Sequence, residues 1–217
     1  MKQRFKSIRV LLLLLSVLVV GQQQAQAQGT DQVVDRLRAK YGKVNTLRAE
    51  FTQTISSEAG GDAQTLAGTL YLQGGKYRVE SPRQTYVTDG KVIWIYNADE
   101  RQVLVNDNVH DETTFSPNDF IFHFDDHYQA TGVRTVSVGG QKQYMLSLKP
   151  KLKDSVYRDV TLWVRSDDLT ITRLDVVDVN GAKVTISLKD IQLNPKLSDS
   201  LFTFKAPKGV EVVDLRS

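Results

Sequence analysis

The sequence predicts a mainly β protein built on a curved antiparallel sheet, and a stretch near its middle carries that prediction. Residues 86–106 hold three extended runs separated by Asp89-Gly90 and by residues 97–100, so three strands follow one another through hairpins. Side chains of the middle run alternate, with Val92, Trp94 and Tyr96 on one face and Ile93 and Ile95 on the other. Both faces of this strand need a cover, but the chain offers too little helix for a full layer. An apolar volume on one side of the sheet is the expected consequence.

The N-terminal residues 1–27 are expected to be a cleaved signal peptide. Basic residues among the first nine positions, an apolar run over residues 10–20 and the motif Ala25-Gln26-Ala27 match its three parts. The alternative, a membrane anchor, needs about 20 apolar residues, which is more than this run supplies. We therefore predict an exported protein in which residues 28–217 form a single domain.

The predicted mature chain is nearly neutral. Residues 1–27 hold four of the 28 basic residues and none of the 25 acidic ones, which leaves 24 basic against 25 acidic, a net charge of −1. That balance gives no sign of nucleic-acid binding or of attraction to an anionic membrane. The chain has no cysteine, and Gln28 stands where a bacterial lipoprotein would carry its acylated cysteine. We expect neither a disulfide nor a lipid of its own.

One helix and three strands are predicted before the middle stretch. Thr30 and Asp31 suit an N-cap, and apolar residues at helical spacing follow them, so a helix is expected over about residues 31–41. Alternation of apolar and polar residues then predicts strands in three runs, residues 47–52, 66–72 and 77–80.

A short helix is predicted after the middle stretch. Ser116 suits an N-cap and Pro117 the first helical position. The apolar residues of this segment are Phe115, Phe120, Ile121, Phe122 and Phe124. A helix this short is not stable alone, so we expect its apolar stripe to dock on an apolar surface.

Strands return after residue 127 at hairpin spacing. Turns are expected at Gly139-Gly140, Asp167-Asp168 and Asn180-Gly181, the last being the strongest signal. The alternating apolar residues of these strands are Tyr144, Leu146, Leu148, Val160, Leu162, Val164, Val184, Ile186 and Leu188. Two short strands around residues 207–209 are expected to close the chain, for a total of about 11 strands.

The histidines are the candidates for metal ligands. His123 and His127 are four residues apart, with Asp125 and Asp126 between them, a spacing that can bind zinc on a helix. No third ligand is evident, and a polar helix end is the preferred interpretation. The sequence also lacks a phosphate-binding loop and a nucleophile elbow. We predict no cofactor, no metal and no enzymatic activity, with a secreted hydrolase of scattered catalytic residues as an alternative.

Apolar side chains that a sheet could present to a cavity are the main functional signal. The candidates for its lining are Leu70, Leu72, Tyr77, Val79, Val92, Trp94, Tyr96, Leu146 and Leu148, with Phe115, Phe120, Ile121 and Phe124 from the short helix. The alternative interpretation is an ordinary core under a capping helix.

Several short motifs, taken in order, resemble the LolA family of periplasmic outer-membrane lipoprotein carriers over nearly the whole mature chain. They are Phe51-Thr52-Gln53, Gly68-Thr69-Leu70-Tyr71, Lys76-Tyr77-Arg78, Val87-Thr88-Asp89-Gly90-Lys91, Ser116-Pro117, Leu146-Ser147-Leu148-Lys149-Pro150, Phe202-Thr203-Phe204 and Pro207-Lys208-Gly209-Val210. Each motif alone is weak, but their order and spacing are specific.

The resemblance implies a fold and a site. The fold is an incomplete antiparallel β-barrel, a half-barrel of about 11 strands, whose short helices form a lid over a hydrophobic cavity for acyl chains. Trp94 and Tyr96 would line or support the concave side, and Tyr77 would lie near the mouth. The family often has an arginine in the first hairpin that is thought to latch the lid. Here Gln73-Gly74-Gly75 stands in its place, and Arg78 is the candidate substitute.

The resemblance also implies a function and partners. The protein would be a monomeric periplasmic chaperone that receives lipoproteins from an inner-membrane ABC complex and delivers them to the outer membrane, where an acceptor lipoprotein is a further possible partner. Because burying one methylene is worth about 0.8 kcal/mol, a 16-carbon chain left in water costs on the order of 12 kcal/mol, so a diffusing lipoprotein needs a host. The alternatives are a lipid-binding envelope-stress sensor and another lipid carrier with the same half-barrel.

Overall fold

The computed structural model describes residues 29–57, 62–109 and 116–216, and the strands in these ranges form one sheet. The strands are β1 (Thr46–Ser57), β2 (Gln64–Gln73), β3 (Lys76–Glu80), β4 (Gln84–Thr88), β5 (Val92–Asn97), β6 (Gln102–Asp107), β7 (Tyr128–Val138), β8 (Gln141–Pro150), β9 (Tyr157–Arg165), β10 (Ile171–Asp178), β11 (Ala182–Leu193) and β12 (Glu211–Asp214). The helices are α1 (residues 29–41), α2 (Pro117–Ile121) and α3 (Phe124–His127), with a 3₁₀ turn at Asp199–Phe202. The predicted signal peptide and Phe115 lie outside the described residues. None of the described helices is long and apolar enough to cross a membrane.

The sheet is open, with β7 at one edge and β12 at the other. Its order is β12-β6-β5-β4-β3-β2-β1-β11-β10-β9-β8-β7, so the two halves of the chain join where β1 pairs with β11. The predicted mainly β fold with an incomplete barrel is confirmed. Two details differ from the prediction, because the described part has twelve strands and because β12 runs parallel to β6.

One face of the sheet carries the main core in both halves. In the first half, Leu72 lies opposite both Leu47 and Tyr77, and in the second half Leu146 lies opposite Leu162. All five belong to one hydrophobic cluster, which also includes the apolar side of α1. We call the face that carries these residues the inner face and the opposite one the outer face. Register shifts within the β1–β11, β9–β10 and β7–β8 pairs are bulges of the kind that bend a sheet around its core.

The outer face of β3–β5 is covered by residues 199–204, and β12 then extends the sheet beside β6; we call residues 199–214 the C-terminal cover. Phe202 is only 1% exposed, and the ring of Phe204 lies 5.7 Å from that of Tyr96. The prediction of two closing strands was wrong, because only β12 is a strand and both phenylalanines precede it. Their rings pack on the outer face, and neither phenylalanine belongs to a strand.

Turn conformation requires a glycine at two positions, and close packing requires one at a third. Gly74 and Gly90 have φ values of 56° and 95°, which suit the predicted hairpin turns. Gly68 serves a different purpose, because a Cβ there would lie 1.9 Å from the backbone oxygen of Glu80 and 2.9 Å from the ring of Phe51. The Phe51 ring can therefore pack across β2 only because residue 68 has no side chain.

Candidate functional site

The inner face is closed by α2 and α3, and we call residues 116–127 the lid. Phe120, Ile121 and Phe124 are 3%, 6% and 2% exposed and belong to the main hydrophobic cluster. The Phe120 ring lies 5.2 Å from that of Tyr128 and 6.0 Å from that of Tyr157. The predicted docking of the apolar stripe is confirmed, but the single predicted helix is two short helices interrupted at residues 122–123.

A small apolar cavity lies between the lid and the sheet. Its volume is about 70 Å³, and its walls come from both halves of the sheet and from Pro117, Phe120 and Ile121 of the lid. An engineered apolar cavity that holds benzene has about 150 Å³, so this one is too small for a fatty acyl chain. The inner face can take such a chain only when the lid moves away from it.

A larger pocket of about 550 Å³ opens at one end of the half-barrel. Tyr41 at the end of α1, Phe122 and His123 of the lid, and residues 73–76 of the first hairpin line it. The rings of Tyr41 and Phe122 are 6.5 Å apart. This pocket lies where Gln73-Gly74-Gly75 replaces the family arginine, so the sequence departure coincides with open space beside the lid.

Most predicted lining residues lie on the inner face. Leu70, Leu72, Tyr77, Val79, Leu146 and Leu148 all belong to or pack against the main cluster. Of these six, only Leu70 and Val79 line the small cavity with the lid closed. The others are core residues in this state, and their contact with an acyl chain stays a prediction.

The structure corrects the placement of Val92, Trp94 and Tyr96. Trp94 lies opposite Val87, which lies opposite Arg78, and this row belongs to the outer face. Ile93 is on the inner face instead and packs against the main cluster. The error has a simple cause, because β5 is apolar on both sides and alternation alone does not tell which side faces the lid.

Several cavity residues were not among the predicted site residues. They are Phe51, Leu162, Ile171, Leu174, Ile186 and Leu188, together with the polar Gln53 and Arg173. The sequence did contain a signal for most of them, since they alternate in strands on the same side as the predicted residues. The sequence contained no signal for the β1–β11 pairing, which brings the two halves of the sheet together.

The proposed latch residue Arg78 lies away from the lid. Its Nε donates to Glu80 over 2.6 Å and its Nη1 to the backbone oxygen of Leu201 over 3.2 Å, both on the outer side. The lid is instead tied by Arg38 of α1, whose Nε donates to Asp125 Oδ2 over 2.7 Å. This hydrogen bond raises the pKa of Arg38. Lys151 adds a hydrogen bond from Nζ to the backbone oxygen of Asp125 over 2.7 Å.

Two buried tyrosines stay neutral beneath the lid. Burial raises the pKa of Tyr77 to about 12, with a smaller contribution from Asp119. Burial also raises the pKa of Tyr41 to about 12, and its hydroxyl accepts a hydrogen bond from the Ile171 backbone nitrogen over 2.9 Å. Both hydroxyls therefore keep their protons above pH 10, where an ordinary tyrosine ionises.

The predicted metal candidates lie at the outer end of the lid. His123 is about half exposed, and its Nδ1 lies 3.4 Å from Asp126 Oδ2. Within the ranges that the structure describes, no group of three or more His, Asp or Glu side chains is arranged to hold a metal ion.

A family model and the curated relatives of this chain agree on one family. The family model described as "Outer membrane lipoprotein carrier protein LolA" matches residues 42–205. A relative from Hahella chejuensis, named outer-membrane lipoprotein carrier protein, is 30% identical over 211 residues, which cover 94% of this chain and 97% of that relative. A relative of the same name from Pasteurella multocida is 30% identical over 184 residues, covering 83% and 86%.

A solved structure shares the fold at low identity. An uncharacterized conserved protein from Thermus thermophilus superimposes with a TM-score of 0.54 at 14% identity, covering 86% of this chain and 99% of its own. At that identity the likeness concerns the fold alone.

Proposed function

The chain belongs to the LolA family of outer membrane lipoprotein carrier proteins, and from that premise we propose that it is a periplasmic carrier of lipoprotein acyl chains. The observation that supports this proposal is the lid, which keeps three large apolar side chains on the inner face through short helices alone. Residues 1–27 would direct export, and residues 28–217 would act as one monomeric domain without a cofactor.

In this proposal the lid and an acyl chain compete for the same apolar surface. Removing Phe120, Ile121 and Phe124 from the inner face costs about 5–9 kcal/mol, at about 1.5–3 kcal/mol for each side chain. Burying one 16-carbon chain contributes a favourable free energy on the order of 12 kcal/mol. Relative to water, the net gain is a few kcal/mol for the first chain, because the lid is displaced only once, and the cost of displacing it favours release. Predicted lining residues such as Leu72, Leu146 and Leu148 would become accessible to the chain as the lid leaves.

Reversible binding suits transfer between two partners. A carrier without nucleotide or metal chemistry moves its cargo only from a weaker to a stronger site. We propose that an inner-membrane ABC complex loads the protein and that the outer membrane, or an acceptor lipoprotein there, unloads it. Nucleic acid has no part in this proposal.

The test is release of a triacylated lipoprotein from inner-membrane vesicles by the exported protein. In the loaded protein the raised lid would still cover the bound chain, so Phe120→Glu places a charge against that chain, and desolvating the charge opposes loading. We expect release to fall at least tenfold. Val179→Glu is the matched control, because Val179 is 58% exposed and lies in a turn far along the chain.

The outcome separates the carrier from its rivals. Normal release by a folded Phe120→Glu protein would contradict the assignment of the lid. A wild-type protein that binds free fatty acids or phospholipids but releases no lipoprotein would indicate a lipid sensor or another lipid carrier instead.

A further inference from the structure

The lid buries polar side chains that have no hydrogen-bond partner. Ser116 is 6% exposed and Asn118 is 2% exposed. Among the described residues, the buried side-chain atoms without a partner are Ser116 Oγ, Asn118 Oδ1, Asn118 Nδ2 and Gln73 Oε1. Three of these four atoms thus lie within one three-residue stretch of the lid.

The Asn118 side chain is not needed to build the lid helix. The backbone nitrogens of Phe122 and His123 both donate to the backbone oxygen of Asn118, over 2.8 and 3.3 Å. The amide side chain takes no part in these bonds. Buried polar groups are nearly always paired in native proteins, and an unpaired one opposes the closed state. An apolar side chain of similar shape would stabilise the closed lid better.

Asn118 lies on the helix that closes the cavity and follows Pro117, which lines the cavity, although Asn118 itself does not line it while the lid is closed. Residues three apart on a helix are neighbours on its surface, so Asn118 shares one side of α2 with Ile121, which lines the cavity. The opposite wall contributes Gln53, the uncharged polar residue of the lining. The unpaired polar groups of the lid therefore belong to the helix that covers a mostly apolar site.

We propose that Asn118 and Ser116 form a polar subsite for the ester and amide groups that join fatty chains to the head of a lipoprotein. This inference rests on the proposed carrier function. Ester and amide carbonyls accept hydrogen bonds, and an N-acyl amide also donates one, while the Asn118 amide offers two donors and an acceptor and the Ser116 hydroxyl offers both roles. Chains drawn under the lid bring these linkages into an apolar site, where they need partners. Pairing satisfies groups on both sides, so the lid residues favour the loaded state over the empty one.

The experiment compares two synthetic probes on the full exported protein. One is a tripalmitoyl-cysteinyl lipopeptide with ester and amide linkages, and the other is its uncharged analogue with all three 16-carbon chains on ether linkages. Asn118→Leu, which is close to isosteric, should weaken binding of the first probe about tenfold, equal to about 1.4 kcal/mol. Binding of the carbonyl-free probe should change less than about twofold. The melting temperature of the free protein should rise, because an unpaired amide has been removed.

Further variants keep the inference falsifiable. Asn118→Ser retains a donor and an acceptor and should recover part of the affinity for the ester probe, and Ser116→Ala should lose less than Asn118→Leu does. Asn180→Leu, at an exposed turn position, is the matched control and should bind both probes normally. If Asn118→Leu does not fold, the comparison of Asn118→Ser with the wild type on the two probes decides alone.

Each contrary result has a distinct meaning. Unchanged affinity of Asn118→Leu for the ester probe overturns the subsite and leaves the carrier function standing. An equal loss for both probes overturns it too, because it indicates a packing role. A wild-type protein that binds neither probe overturns the carrier function and the subsite together.

Discussion

Two aromatic segments cover the two faces of the sheet, and they are attached in different ways. The lid buries Phe120 and Phe124 on the inner face, and the C-terminal cover buries Phe202 on the outer face. Among the described residues, the lid forms no ladder with the sheet, and its backbone forms hydrogen bonds beyond the lid only near its end, where Lys151 donates to the backbone oxygens of Asp125 and His127 and Tyr128 donates to that of Phe124. In contrast, β12 of the C-terminal cover forms a parallel ladder with β6. The inner cover is thus held mainly by its side chains, with main-chain bonds only near its C-terminal end, and the outer one is also held by a main-chain ladder.

The difference teaches that burial does not distinguish a core from a binding surface. These three phenylalanines are only 1–3% exposed, so an exposure criterion would class all three as core. A segment without a ladder to the sheet can leave as a local unit, at a free energy below that of global unfolding. The inner face can therefore be uncovered while the rest of the sheet stays folded.

The largest expected effect compares one phenylalanine from each cover. Phe202→Ala should lower the free energy of unfolding by about 3–5 kcal/mol, because a large cavity opens under a segment that its ladder holds in place. Phe124→Ala removes an equally buried ring from the lid, which can collapse or detach, so we expect a loss of no more than about 2 kcal/mol. Urea unfolding of both variants measures the difference.

The proposed difference between the two covers would be contradicted if the two alanine variants lost the same free energy of unfolding. Such a result would mean that the lid is as firmly fixed as the C-terminal cover. Amide hydrogen exchange supplies an independent check, because lid amides should exchange well before those of β6.

A second prediction tests whether the inner face stays dry beneath the lid. The pKa of Tyr77 is raised to about 12 by burial, whereas an unfolded tyrosine ionises near pH 10. Below pH 10 both states hold the proton. Between about pH 10 and 12 only the unfolded state loses it, so stability falls as pH rises, by about 2–3 kcal/mol for this residue.

The measurement for Tyr77 is urea unfolding at pH 9 and pH 11.5. Tyr77→Phe should remove this part of the alkaline loss, while the part due to Tyr41 persists. An identical alkaline loss in Tyr77→Phe and the wild type would show that water reaches the hydroxyl in the closed state, which would contradict a sealed inner face.

The strands and hairpins could be predicted because their signals are local. Alternation found the buried rows that hold Leu72, Leu146 and Leu162, and glycines at the turns marked the hairpins where Gly74 and Gly90 adopt positive φ. The face occupied by Trp94 could not be found this way. Exchanging the two faces of β5 leaves its pattern equally apolar, and only the distant Phe204 beside Tyr96 breaks that symmetry.

The residue that binds the lid could not be predicted from the sequence for a related reason. Arg78 was a natural candidate because it follows a matched family motif, yet its strand position directs it to the outer face. Arg38 and Asp125 are 87 residues apart in the chain, and neither residue type nor spacing indicates their contact. Contacts of this kind follow from the assembled sheet, which sets α1 and the lid side by side.

The smallest expected effect concerns that contact. The side chain of Arg38 is 57% exposed and that of Asp125 23%, so Arg38→Ala should lower global stability by less than about 1 kcal/mol. Its effect on the lid should be selective, with amides of α2 and α3 exchanging up to about fivefold faster and those of the C-terminal cover unchanged. Arg36→Ala is the matched control, since Arg36 is an exposed arginine on the same helix.

Measuring exchange at high salt tests whether the effect of Arg38 on the lid is electrostatic. An ion pair at the surface is screened at 1 M salt, where the Debye length is about 3 Å, so the exchange rates of Arg38→Ala and the wild type should converge there. A difference that persists at high salt would indicate that the Arg38 stem supports the lid by packing. Equal rates at low salt would show that the Arg38–Asp125 contact contributes nothing to the attachment of the lid.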